Sequence, residues 1–124
     1  MGSKASQIDR LEEIVQLSIL YDFYGDLLSD HKKRIFEDYV LNDLSLSEIA
    51  EQKGISRQGV YDIVRRCSQE LREYESKLLL AHKFRSIIDK INNIKEILQT
   101  TKDTGNTDQI HEIEQLADEI LKEL

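Results

Sequence analysis

The sequence predicts an all-α fold, and three observations carry that expectation. Proline is absent and only five glycines occur in 124 residues, so little interrupts a helix. A third of the residues are charged and set among abundant Leu, Ile, Glu and Lys, which are good helix formers. Apolar residues recur at steps of three and four along nearly the whole chain, the period of helical faces and not of strands.

Taken in order, Leu11, Ile14, Val15, Ile19, Phe23, Tyr24 and Leu27, flanked by Leu17 and Leu20, predict an amphipathic helix over 8–28 that Gly25 weakens in its last turn. Ser29 is a good N-cap for a second helix, with Ile35, Phe36, Tyr39 and Val40 as its buried stripe and Lys32, Lys33 and Arg34 in water. Asn42-Asp43 breaks it. Ser45-Leu46-Ser47-Glu48 is a capping box, in which hydroxyl and carboxylate each satisfy a free backbone N–H, so a short third helix begins at Leu46 and stops at Gly54. Ser56 caps a long fourth helix that meets no proline before Thr100.

The stripe of that fourth helix changes phase. Val60, Val64, Cys67, Leu71, Tyr74 and Leu78 make one line, and Leu80, Phe84, Ile87, Ile91, Ile94 and Leu98 a second with the spacing of a coiled-coil seam. A polar loop is expected over 100–108 with Gly105. A fifth helix, carrying Ile110, Ile113, Leu116, Ala117, Ile120, Leu121 and Leu124, then folds back to cover Phe84, Ile87, Ile91, Ile94 and Leu98. The division expected is a core over 1–75 and a helical arm or hairpin over 76–124. Two helices enclose too little core to be stable alone, so the arm is expected to dimerise and the protein to be a homodimer.

Residues 46–65 carry the functional signal, as a helix-turn-helix. Ile49 and Ala50 face the interior, and the small Ala50 lets two helices cross closely. Gly54 takes a left-handed turn, Ile55 plugs the corner, and Val60 and Ile63 seat the next helix. With that interior fixed, Gln58, Tyr61, Arg65, Ser68 and Arg72 fall on the opposite face, with Arg57 near its exposed start. Arg and Gln make bidentate contacts to guanine and adenine edges, Arg, Ser and Tyr hold phosphates, and the helix start after Ser56 adds free N–H groups. The expected DNA-binding residues are therefore Ser56, Arg57, Gln58, Tyr61, Arg65 and Arg72. Charge supports this locally: the chain carries −7 overall, yet over 53–72 five cations stand against Asp62 and Glu70.

The segments 46–50, 54–62 and 71–75, with Leu20-Tyr21-Asp22-Phe23-Tyr24-Gly25-Asp26-Leu27-Leu28 upstream, carry a family resemblance. The stretch resembles sigma-factor region four and, more closely, the YlxM-type helix-turn-helix proteins of bacteria, over roughly residues 11–84. That resemblance implies a regulatory DNA-binding protein and a gene neighbourhood shared with the signal recognition particle GTPases, hence a part in protein targeting. The alternative is a regulator that docks such a GTPase or its receptor without DNA. Lys53, Gly59 and Asp62 depart from the usual pattern, since an apolar residue, a better helix former and an uncharged residue commonly stand there.

Other function classes find little support. The longest apolar run, over 78–81, falls far short of the roughly 20 residues that cross a bilayer. Met1-Gly2-Ser3-Lys4-Ala5-Ser6 satisfies the bare myristoylation pattern with no second membrane signal, so a cytoplasmic protein without membrane attachment is expected. Cys67 stands alone and reads as a small buried apolar residue. His31, His82 and His111 lack metal-ligand spacing, so no metal is expected. Asp22 with Asp26, and Glu112 with its neighbours, read as solvated acidic faces. No nucleophile, acid/base pair or phosphate-binding glycine loop points to catalysis or to a cofactor, and an enzyme is not expected.

Overall fold

The computed structural model describes residues 4–104 and 108–123, and among these every regular element is helical. Six α-helices follow in order: α1 (Lys4–Tyr24), α2 (Asp30–Val40), α3 (Leu46–Lys53), α4 (Arg57–Leu78), α5 (Leu80–Thr104) and α6 (Asp108–Glu123). A single 3-10 turn, Gly25–Leu27, closes α1 where Gly25 is expected to weaken it. The start of the chain, Gly105 and Leu124 lie outside the described residues.

Two compact units divide the chain, one ending at Leu79 and one beginning at Leu80. In the first, α1, α2 and α3 all pack on α4. Tyr24, Phe36, Ile35, Ile49, Leu71, Val60 and Cys67 are its most deeply buried side chains. Burying each large apolar group contributes about 1.5–3 kcal/mol, and this close-packed cluster is what holds the four helices together. Polar links fasten its rim: the Tyr24 hydroxyl donates to Glu75 Oε1 at 2.7 Å, the Tyr21 hydroxyl donates to Glu37, and Lys32 pairs with Glu70 at 3.2 Å. Burial and the Glu37 carboxylate together push the Tyr21 hydroxyl well above the ordinary tyrosine range.

The face that α1 buries differs from the expected one. Leu17, Tyr21, Tyr24 and Leu28 are buried with Ile14 packed against them, whereas Leu11, Val15, Ile19 and Leu27 are exposed. The helix carries apolar residues on two sides, and the neighbours α2 and α4 cover one of them. In α2 the stripe is as read: Ile35, Phe36 and Val40 are buried and Tyr39 packs against them. Ser29 stands at its start with extended backbone, but its hydroxyl makes no cap. Lys33 is half-buried and meets Asp26 at 2.6 Å, which holds the Asp26 carboxyl below its usual range. After Leu41 the left-handed Asp43, at φ 55°, turns the chain toward α3.

The second unit corrects the expected continuous fourth helix. Leu79 is left-handed at φ 54° and ends α4, so the phase change between the two stripes is a real break and the described residues form six α-helices instead of five. α5 also runs through Thr104, shortening the expected loop. α6 returns antiparallel: Thr101 Oγ1 meets Gln109 Oε1 at 2.7 Å near one end, and Lys90 pairs with Glu123 at 2.7 Å near the other. Ile87, Ile94 and Ile97 on α5 and Ile113, Leu116 and Ile120 on α6 are half-buried. Phe84, Ile91 and Leu98, expected under α6, remain exposed. A two-helix layer shields only the faces turned toward each other.

Candidate nucleic-acid interface

The helix-turn-helix is built by two caps and one glycine. Ser45 Oγ accepts from the Glu48 N–H at 3.1 Å while Glu48 Oε1 accepts from the Ser45 N–H at 3.2 Å, so the capping box is complete. Gly54 ends α3 at φ 68°, ψ 31°, and the Ile55 N–H donates to Ala50 O at 3.1 Å. Only glycine holds that conformation without a Cβ penalty. Ser56 Oγ then accepts from the Gly59 N–H at 2.9 Å to start α4. A Cβ on Gly59 would sit 3.1 Å from that hydroxyl, a tight approach that the glycine avoids. Lys53, at the position where apolar residues commonly pack, instead reaches Asp38 at 3.8 Å.

Ile49, Ala50, Val60 and Val64 are buried as the motif requires, with Ile55 and Ile63 packed at the edge. The opposite face of α4 opens onto a groove of about 460 Å³ bounded by α1 and the start of α3. Arg57, Tyr61, Arg65 and Arg72 line it from α4, Arg10 and Glu13 from α1, and Ser45 and Ser47 from α3. Four guanidinium groups thus share one concavity with a single carboxylate, and Arg72 meets that carboxylate, Glu13, at 3.2 Å. Arg57, Tyr61 and Arg65 are all exposed.

The six expected residues divide by position. Arg57, Tyr61, Arg65 and Arg72 come together in the groove. Gln58 is exposed beside them, its amide donating to Asp62 Oδ1 at 3.1 Å. The hydroxyl of Ser56 is committed to its cap, so its contribution is the shape of the helix start. Ser68 lies on the expected face and lines the same groove, but at its floor: it is buried, and its hydroxyl donates to Val64 O at 2.8 Å. Sequence reading overlooked Arg10, Ser45 and Ser47. Arg10 is hidden in an acidic stretch, and only the packing of α1 on α4 brings it to the groove.

Outside the groove little chemistry gathers. Cys67 is buried, and desolvation pushes its thiol up to about 11, the state of an inert core cysteine. Among the described residues no group of three or more His, Cys, Asp or Glu side chains is placed to hold a metal ion, and no helix is long and apolar enough to cross a membrane.

A short all-helical chain with a capped helix, a left-handed glycine turn and a second capped helix presenting arginines is a helix-turn-helix protein. Comparison with known families places it further. Residues 11–114 match the family model described as "Putative helix-turn-helix protein, YlxM / p13 like", and the chain belongs to that family. It is 41% identical over 110 residues to a UPF0122 protein of Thermoanaerobacter sp. (strain X514), covering 88% of this chain and 94% of that one. It is 41% identical over 93 residues to the UPF0122 protein YlxM of Bacillus subtilis (strain 168), covering 75% and 84%. It is 40% identical over 102 residues to a UPF0122 protein of Malacoplasma penetrans (strain HF-2), covering 82% and 89%.

Proposed function

We propose that this protein is a cytoplasmic, non-enzymatic regulator that binds duplex DNA through the exposed face of α4, acts as a homodimer, and takes part in the signal recognition particle pathway. The observation that carries the DNA reading is the convergence of Arg10, Arg57, Arg65 and Arg72 with Tyr61 in one groove of an otherwise acidic chain. Arg57, Gln58 and Arg65 read base edges from the first turns of α4, and Tyr61 beside them holds a phosphate. Arg10, Arg72 and Ser47 hold phosphates along the flanks, and the start of α4 after Ser56 adds backbone N–H groups to a phosphate. A homodimer doubles the short half-site that one such unit reads. The targeting role rests on the resemblance alone.

Fluorescence anisotropy on duplex DNA across a salt series tests this. Affinity should fall as salt rises, and Arg57→Ala with Arg65→Ala should weaken binding and flatten the salt slope by about 2. Asp62→Asn should strengthen binding by removing a carboxylate that repels phosphate. Salt-independent binding, or equal affinity for all of these native-like variants, would refute the assignment.

A second reading has its own observation. Ile8, Leu11, Val15 and Ile19 form an exposed apolar stripe on α1, a surface suited to a protein partner such as the signal recognition particle GTPase or its receptor. Calorimetry with those purified GTPases, in the absence of nucleic acid, distinguishes the two.

A further inference from the structure

The α5–α6 hairpin is unfinished on one side, and its register specifies what completes it. No described side chain of this unit is buried, in contrast to the cluster in the first unit. Beyond the half-buried seam between the two helices, a second apolar line remains open on each. On α5 it is Phe84, Ile88, Ile91 and Leu98, interrupted by Lys95; on α6 it is Ile110, Ala117 and Leu121, interrupted by Glu114. The large apolar members are 39–68% exposed.

These two lines lie on the same side of the hairpin. At about 100° per residue, each is rotated roughly a quarter turn from the seam of its own helix, in the same sense. The helices run antiparallel, so equal rotations in each helix's own frame lead to one common face. The observed contacts of Lys90 with Glu119 and of Thr101 with Gln109 fix the levels along the pair. In that register Leu98 stands level with Ile110, Lys95 with Glu114, Ile91 with Ala117, and Ile88 with Leu121. Over the levels that the two helices share, each line carries three apolar residues and one charge, and the two charges are opposite and at one height.

We propose that a second copy of this chain covers this face, with a two-fold axis running along the helices, so that α5 of each copy lies on α6 of the other in a four-helix bundle. This operator keeps every level. It sets Lys95 against the partner's Glu114 twice, and Leu98, Ile91 and Ile88 against the partner's Ile110, Ala117 and Leu121. A two-fold axis perpendicular to the helices at the same height would instead oppose Lys95 to its own copy, which like-charge repulsion disfavours. The wider charge agrees: the described α5 side chains Lys83, Arg85, Lys90 and Lys95 outnumber Asp89 and Glu96, whereas on α6 Lys122 stands alone against six carboxylates. Among the described residues Glu114 makes a loose contact with His111 Nδ1 at 3.9 Å. The proposal rests on the homodimer part of the function proposed above and not on DNA binding.

Sedimentation of the full chain at micromolar concentration, without DNA, provides the test. The wild type should be a dimer. Lys95→Glu and Glu114→Lys should each weaken self-association by roughly a hundredfold, since each places two like charges together twice. An equimolar mixture of the two variants should dimerise again, because both facing sites then hold one acid and one base. A wild-type monomer would overturn the homodimer reading and this proposal together. A dimer indifferent to both substitutions, or helical variants whose mixture stays dissociated, would overturn this interface alone. Should either variant lose helicity, chains carrying Lys95→Cys and Glu114→Cys, mixed and oxidised, should cross-link as the heterodimer only; no cross-link would refute the proposed facing.

Discussion

The two units of this chain are all helix, yet they are held together differently. In the first, four helices enclose side chains with no exposure at all, among them Ile35, Phe36, Ile49 and Leu71. In the second, two helices share a seam of half-buried isoleucines and leucine, closed by a polar clasp in which Glu123 Oε1 accepts from Lys90 Nζ at 2.7 Å and Ser86 Oγ at 2.8 Å. Four helices can surround a core, whereas two can only press one face of each together. A helix-turn-helix needs the rigid kind of unit, because its recognition side chains must hold their spacing. A surface made for assembly needs apolar residues left open.

The largest effect that sharpens this contrast comes from truncating matched apolar side chains. Phe36→Ala should cost about 3–5 kcal/mol, because a buried ring leaves a cavity that its neighbours cannot fill, whereas Ile113→Ala should cost about 1–2 kcal/mol. Urea unfolding followed by circular dichroism measures both, and equal losses would mean that the hairpin is as well buried as the core. Next comes Gly54→Ala, which forces a Cβ into a left-handed turn and should cost about 1–2 kcal/mol. Open space surrounds that position, so the cost is conformational and not a clash. A neutral outcome in the same unfolding assay would show that the turn relaxes freely.

The smallest effect is on pH. Hydrogen bonds from Lys90 and Ser86 lower the pKa of Glu123 below its usual range. A carboxyl lowered in the folded state contributes stability that is complete above the unfolded-state pKa, near 4.3, and is lost as pH falls through the lower folded value. Acid should therefore loosen the hairpin below about pH 4, and Glu123→Gln should remove that dependence. Amide exchange resolved by residue is the measurement; protection of residues 86–98 unchanged into strong acid would show that the clasp contributes nothing.

Much of this was legible in the sequence, for identifiable reasons. The capping box, the left-handed Gly54 and the Ser56 cap are local devices that depend on neighbours within four residues. The stripes of α2 and α4 were equally plain because each has a single apolar side, although Leu78 at the end of the α4 stripe stays exposed. What failed to read were choices made by packing. α1 has two apolar sides, and nothing local says that Leu17 and Tyr21 turn inward while Leu11 and Val15 stay out. Leu79 breaks the long helix with no glycine or proline to mark it, although the phase change pointed to the place. Arg10 reaches the groove from a distant part of the chain, and Ser68 keeps its predicted face but sits at the groove floor, where packing buries it.

In the proposed function the first unit touches DNA and the second does not. Amide chemical shifts of isotope-labelled protein titrated with duplex DNA test it most directly. Shifts should concentrate at Arg10, at 45–47 and along 56–72, with α5 and α6 unmoved at the same DNA concentration. Shifts confined to α5 and α6, or none anywhere with DNA in large excess at low salt, would contradict it.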